Sequence, residues 1–103
     1  MRVIRDFARR RVRLTDERLN HILEHPEMRG MESELAIALN EPELVLQSAT
    51  DEQVLLSYRF LSDTMVGGKW LCVVVKYNDD DAFVITAYLT DKPKKGRQVW
   101  PGE

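Results

Sequence analysis

VLLSYRFLSDTMVGGKWLCVVVKYNDDDAFVITAYLT, residues 54–90, contains three apolar runs separated by two short breaks. Gly67-Gly68 marks the first break and the polar run 78–81 marks the second. Neither is long enough for the crossover of a dozen or more residues that joins parallel strands, so the three runs read as an antiparallel meander. In 54–61 the side chains alternate, with Val54, Leu56, Tyr58 and Phe60 on one face and Leu55, Ser57, Arg59 and Leu61 on the other. Residues 69–77 are almost wholly apolar and rich in β-branched types, which suits a central strand covered on both faces. In 82–90, alternation places Val84, Thr86, Tyr88 and Thr90 opposite Phe83, Ile85, Ala87 and Leu89.

Upstream of this block, 43–49 reads as a further strand, joined to the meander by the polar turn Thr50-Asp51-Glu52. Before it the apolar period lengthens to that of a helix. Thr15, Asp16 and Glu17 form a helix start, a hydroxyl cap followed by two acids in the positive first turn. Leu19, Ile22 and Leu23 then fall at helical spacing and Pro26 interrupts. Leu35, Ile37, Ala38 and Leu39 continue a second helix, closed by Asn40 and Pro42. Arg9 to Leu14 reads as a short edge strand, since arginines suit an exposed edge. The order β-α-α-β-β-β-β predicts an α+β domain, an N-terminal strand and two helices packed on a four- to five-stranded antiparallel sheet. Residues 1–103 form one domain, with 1–8 expected as a mobile N-terminal arm and 91–103 as a basic tail.

A hydrophobic fraction of 44% beside 31% charged residues is a globular balance, not a disordered one. The single cysteine, Cys72, excludes an internal disulfide and lies in an apolar run, as a buried inert thiol would. No apolar stretch approaches the roughly 20 residues of a membrane span, and the charged N-terminus lacks the apolar segment of a secretory signal. The cytoplasm is therefore the expected compartment and a membrane is not an expected partner. The formal net charge of −2 hides a segregated distribution. Residues 1–20 carry seven arginines against three acids, and residues 21–43 carry six glutamates against one arginine. In 91–97, Lys92, Lys94, Lys95 and Arg97 stand against one acid. Such segregation can build a local anion-binding surface on a protein that is acidic overall.

His21 and His25 are four residues apart and would share a face of one helix. The segment HILEH lacks the glutamate that directly follows the first histidine of a zinc-hydrolase motif, and no third ligand follows at a clear spacing. The acidic run 79–81 lacks the glycine and distal glutamate of a calcium loop. No metal and no cofactor is expected. The two histidines also suit acid–base work, one protonating a leaving group and the other taking up a proton, though a helix-end cap and a packed side chain account for them equally well. Metal-free RNA cleavage needs a base for the 2′-hydroxyl, an acid for the leaving oxygen and a cation or hydroxyl for the charged phosphorane. Arg59, Lys76, Thr86 and Tyr88 are sheet residues of suitable type. No nucleophile elbow, phosphate-cradling glycine loop or dinucleotide fingerprint is present.

Four segments in order, LNHILEHPEM (19–28), VLLSYRFL (54–61), KWLCVVVKY (69–77) and FVITAYLTDKPKKGRQVW (83–100), resemble the phage-associated members of the barnase/colicin/RelE-like nuclease superfamily. The resemblance spans about residues 12 to 100. It implies a compact antiparallel sheet with helices on one face, and metal-independent ribonuclease chemistry of a toxin or of phage conflict. By this resemblance His21, His25, Arg59 and Thr86 are the catalytic candidates. Lys76, Tyr88, Lys95 and Arg97 are the substrate-binding ones. RNA, and an antitoxin or immunity protein, are the implied partners. The net acidity departs from the strongly basic ribosome-dependent toxins of the superfamily. A non-catalytic nucleic-acid- or protein-binding module of the same fold is the alternative.

Overall fold

The structure, a computed structural model, describes residues 1–102. Its elements run β1 (Arg2–Arg5), β2 (Arg11–Leu14), α1 (Asp16–Leu23), a 3-10 turn (Pro26–Met28), α2 (Glu32–Asn40), β3 (Leu44–Gln47), β4 (Val54–Thr64), β5 (Gly67–Tyr77), β6 (Ala82–Thr90) and β7 (Arg97–Trp100). The fold is α+β, with two helices on a mostly antiparallel sheet in the order β1-β2-β6-β5-β4-β3-β7. The sheet has seven strands where the sequence predicts four to five. The extra two, β1 and β7, lie in the segments expected as arm and tail. Each is four residues long and largely exposed, so neither carries the alternating apolar signal by which a strand is legible.

The β3–β6 meander is antiparallel throughout, and β2 alone pairs in parallel, through Arg13 opposite Phe83. Thr15 caps α1 by accepting from the Arg18 backbone N–H at 3.1 Å, an interaction of about 1 kcal/mol at such positions. The helix ends at Leu23, and His25 is extended at φ −75° and ψ 123°. The reason is Pro26, whose ring disfavours the helical region for the residue before it. His21 and His25 therefore do not share one helical face.

One face of the sheet packs against both helices. Val12, Leu14, Leu71, Val73, Val75, Val84 and Ala87 meet Leu19, Ile22, Leu35, Ala38 and Leu39 in one continuous core. The sheet curls so far around α2 that Phe7, in the β1–β2 loop, lies 6.4 Å from Trp100 on β7, ring centre to ring centre. The other face carries a smaller cluster of Leu46, Val54, Leu56, Tyr58 and Cys72. No helix covers it. Residues 91–96 cross it as a strap, anchored where the Lys94 backbone N–H donates to Tyr58 Oη at 3.0 Å. Gly96 fits here because a Cβ would stand 2.5 Å from the Gln47 carbonyl oxygen on β3.

The expected faces of β6 shift in its middle. Val74 pairs with Thr86 and Val75 with Val84, leaving Ile85 as the unmatched residue of a β-bulge. Val84 consequently joins the helix-side core, while Thr86, Tyr88 and Thr90 point to the strapped face. Simple alternation had placed all four together.

Candidate functional site

Bulge, strap and turn together frame a cleft of about 360 Å³ on the helix-free face. Val54, Leu56 and Val74 form its floor, and Thr86 and Tyr88 stand along one side. Ser48, Ala49 and Thr50 of the β3–β4 turn form a second wall, and Lys94 and Lys95 of the strap a third. The turn wall is held rigidly. Asp51 accepts from the Gln53 backbone N–H at 2.9 Å and from Lys76 Nζ at 2.6 Å. The Lys76 ammonium holds the Asp51 carboxyl below its usual range. The Lys94 ammonium lies 5.9 Å from the centre of the Tyr88 ring, a cation–π contact that also holds the charge at the cleft mouth.

Under the strap, Tyr58, Cys72 and Tyr88 sit in one cross-strand row. Burial pushes the Tyr58 hydroxyl up to about 12, and it raises the Cys72 thiol and the Tyr88 hydroxyl as well. These groups stay protonated at neutral pH, so Tyr88 brings a neutral ring to the cleft and not a base. Its Oη is buried and makes no hydrogen bond. The cleft thus offers two ammonium groups and the hydroxyls of Ser48, Thr50 and Thr86 to an anion, and among the described residues no carboxylate lines it. Hydroxyls and ammonium groups are the usual partners of phosphate oxygens.

Three of the sequence candidates, Thr86, Tyr88 and Lys95, meet in this cleft. Lys76 lies beside it, with its charge engaged by Asp51. Arg97 follows the strap on β7, where its Nε donates to Gln47 Oε1 at 3.2 Å. The remaining candidates lie elsewhere. His21 is on α1, exposed, with Nδ1 3.7 Å from the Glu24 carboxylate. His25 is exposed at the start of the 3-10 turn. Arg59 pairs across the sheet with Leu71, which belongs to the helix-side core, so it projects from the face opposite Thr86. There it donates to the Glu41 carbonyl at 2.6 Å, just beyond α2, at the end of a helix where cations are favoured. The sheet separates the two histidines and Arg59 from Thr86.

Lys94, Ser48 and Thr50 are cleft residues that the sequence did not single out. Lys94 was visible only as part of a basic run, Ser48 only as a residue of the strand 43–49 and Thr50 only as a turn residue. The N-terminal arginines are partly neutralised. Arg2 pairs with Glu32, Arg10 with Asp6, and Arg13 holds Asp81 through two bonds of 2.8 and 2.6 Å. Among the described residues no three His, Cys, Asp or Glu side chains stand together as a metal site would require, and no helix is long and apolar enough to cross a membrane. No protein-family model, curated protein or solved structure matches the chain.

Proposed function

We propose that this protein is a nucleic-acid-binding module that takes RNA, and that the strapped cleft holds its phosphates. The observation that carries this reading is the gathering of Lys94, Lys95, Thr86 and Tyr88 in one cleft with no opposing carboxylate among the described residues. It is supported by the excess of cations over 91–97 and by the hydroxyls of Ser48 and Thr50 on the facing wall. An anion entering here meets the Lys94 and Lys95 ammonium groups, and a polymer of anions binds through contacts of this kind with strong salt dependence.

The ribonuclease reading rests on the resemblance and asks His21 or His25 to act on the same phosphate as Arg59 and Thr86. These groups lie on opposite sides of the sheet, which favours binding without turnover.

Titrating labelled RNA with the purified protein tests both. Binding should weaken linearly in log affinity with log salt, and each of Lys94→Gln and Lys95→Gln should reduce that slope by about 0.7. His21→Ala and His25→Ala should bind as the parent does. Cleavage of RNA in EDTA to 2′,3′-cyclic phosphate ends, abolished by His25→Ala at unchanged stability, would instead establish the nuclease and remove the binding-only reading.

A further inference from the structure

Resting on the nucleic-acid reading above, we infer that the aromatic end of the helix-free face is a stacking platform, which makes single strands and not duplexes the preferred ligand. Phe60 is a large apolar side chain left 44% exposed. Its ring is held in place. Trp70, its cross-strand partner, meets it edge-on at 5.5 Å and 71°, and Trp70 in turn meets Tyr58 at 6.4 Å and 85°. Position 68 has no side chain, and a Cβ there would stand 3.0 Å from Phe60 Cζ. An aromatic ring fixed by its neighbours yet open to solvent can accept a base without losing side-chain freedom, and every base has a face to offer it.

Cations stand on the strap, and the Glu43 carboxylate beside the platform is engaged by the Phe60 backbone N–H at 2.6 Å. Along β4 the order on this face is Phe60, then Tyr58 beneath the strap, then Leu56 on the cleft floor. At a rise of ~3.3 Å per residue, platform and cleft are ~13 Å apart. The exposed strap lysines Lys92, Lys94 and Lys95 lie between or beside them. Asp91, the one acid of the strap, is already paired with Lys69. A flexible strand can lay a base on Phe60 and a phosphate in the cleft at once. A duplex keeps its bases stacked inside and would have to unstack one to reach the ring.

The test compares a labelled single-stranded oligonucleotide with the hairpin duplex of the same sequence, using full-length protein and fluorescence anisotropy. The single strand should bind more tightly. Phe60→Ala should weaken it by about 5- to 150-fold, the worth of one stacked base, while duplex binding and the salt slope stay unchanged. Phe60→Leu keeps an apolar side chain but no aromatic face, so it should lose the same affinity with an unaltered melting temperature. Equal affinity for both forms, or a change under about twofold in the two Phe60 variants, overturns the platform while leaving the cleft intact, provided Lys94→Gln still weakens binding. Absence of salt-dependent binding to either form removes the cleft reading and the platform with it.

Discussion

Asp6 is the residue whose removal the structure predicts most sharply. It is 1% exposed and stands in a run of arginines. Its Oδ1 accepts from the Ala8 and Arg10 backbone N–H groups, both at 2.8 Å, and its Oδ2 accepts from Arg10 Nε at 3.1 Å and Tyr77 Oη at 2.7 Å. The carboxylate therefore ties the β1–β2 loop to β5, beneath an Arg10 guanidinium that lies 4.2 Å from the Tyr77 ring centre. In Asp6→Ala the two backbone donors belong to exposed residues and regain water, as does the half-exposed Arg10 head. The half-buried Tyr77 hydroxyl regains it only in part, at a cost within the roughly 1–3 kcal/mol of an unpaired buried hydroxyl. With the lost charge-assisted bonds the sum is about 3 kcal/mol. For a domain of this size that lowers the melting temperature by roughly 10–20 °C. Tyr77→Phe removes one partner of the carboxylate and should cost about 1 kcal/mol. Urea denaturation of Asp6→Ala, Tyr77→Phe and the double variant forms a cycle. The double variant should be more stable than the sum of the single effects predicts, by about 1 kcal/mol or more. Strict additivity, or an Asp6→Ala variant within about 0.5 kcal/mol of the parent, would refute the account of this buried carboxylate.

Arg9 holds a left-handed φ of 65° in the same loop, and among the described residues its guanidinium makes no ion pair, so Arg9→Gly should be neutral or stabilising by up to about 1 kcal/mol in thermal unfolding. Gly96→Ala forces the strap away from the Gln47 carbonyl and should cost about 1–3 kcal/mol, read from the same melts, with RNA affinity falling as the cleft wall shifts. Arg59→Met leaves the Glu41 carbonyl without its donor and should lower stability by about 1 kcal/mol without changing RNA binding. Asp51, Asp81 and Asp91 are each held below the usual carboxylate range, first by the hydrogen bond from Lys76, Arg13 and Lys69 respectively. The unfolded chain therefore binds protons before the folded one does. The stability these pairs contribute is present above pH ~4 and is lost as the pH falls through the depressed values, so urea midpoints should drop in acid. Asp81→Asn should flatten that drop.

Much of the fold was legible in the chain because it rests on local signals. The Thr15 cap, the proline stop at Pro26 and the apolar runs of β4, β5 and β6 act through near neighbours, and the structure bears each out. The short breaks also forced an antiparallel meander. The two edge strands were not legible, since β1 and β7 each form by joining an existing edge and not through an apolar pattern of their own. The same holds for the site. Residue type alone pointed to Thr86, Tyr88 and Lys95, but one unmatched residue, Ile85, decides that Thr86 and Tyr88 face the cleft while Val84 turns to the core. Pairing of β6 with β5 sets that bulge, so periodicity within β6 alone could not reveal it. Likewise the chemistry that made Arg59 and the two histidines candidates is present in the sequence. Only the placement of the sheet between them and Thr86 separates them, because which face a side chain takes and what covers that face are properties of the assembled layers.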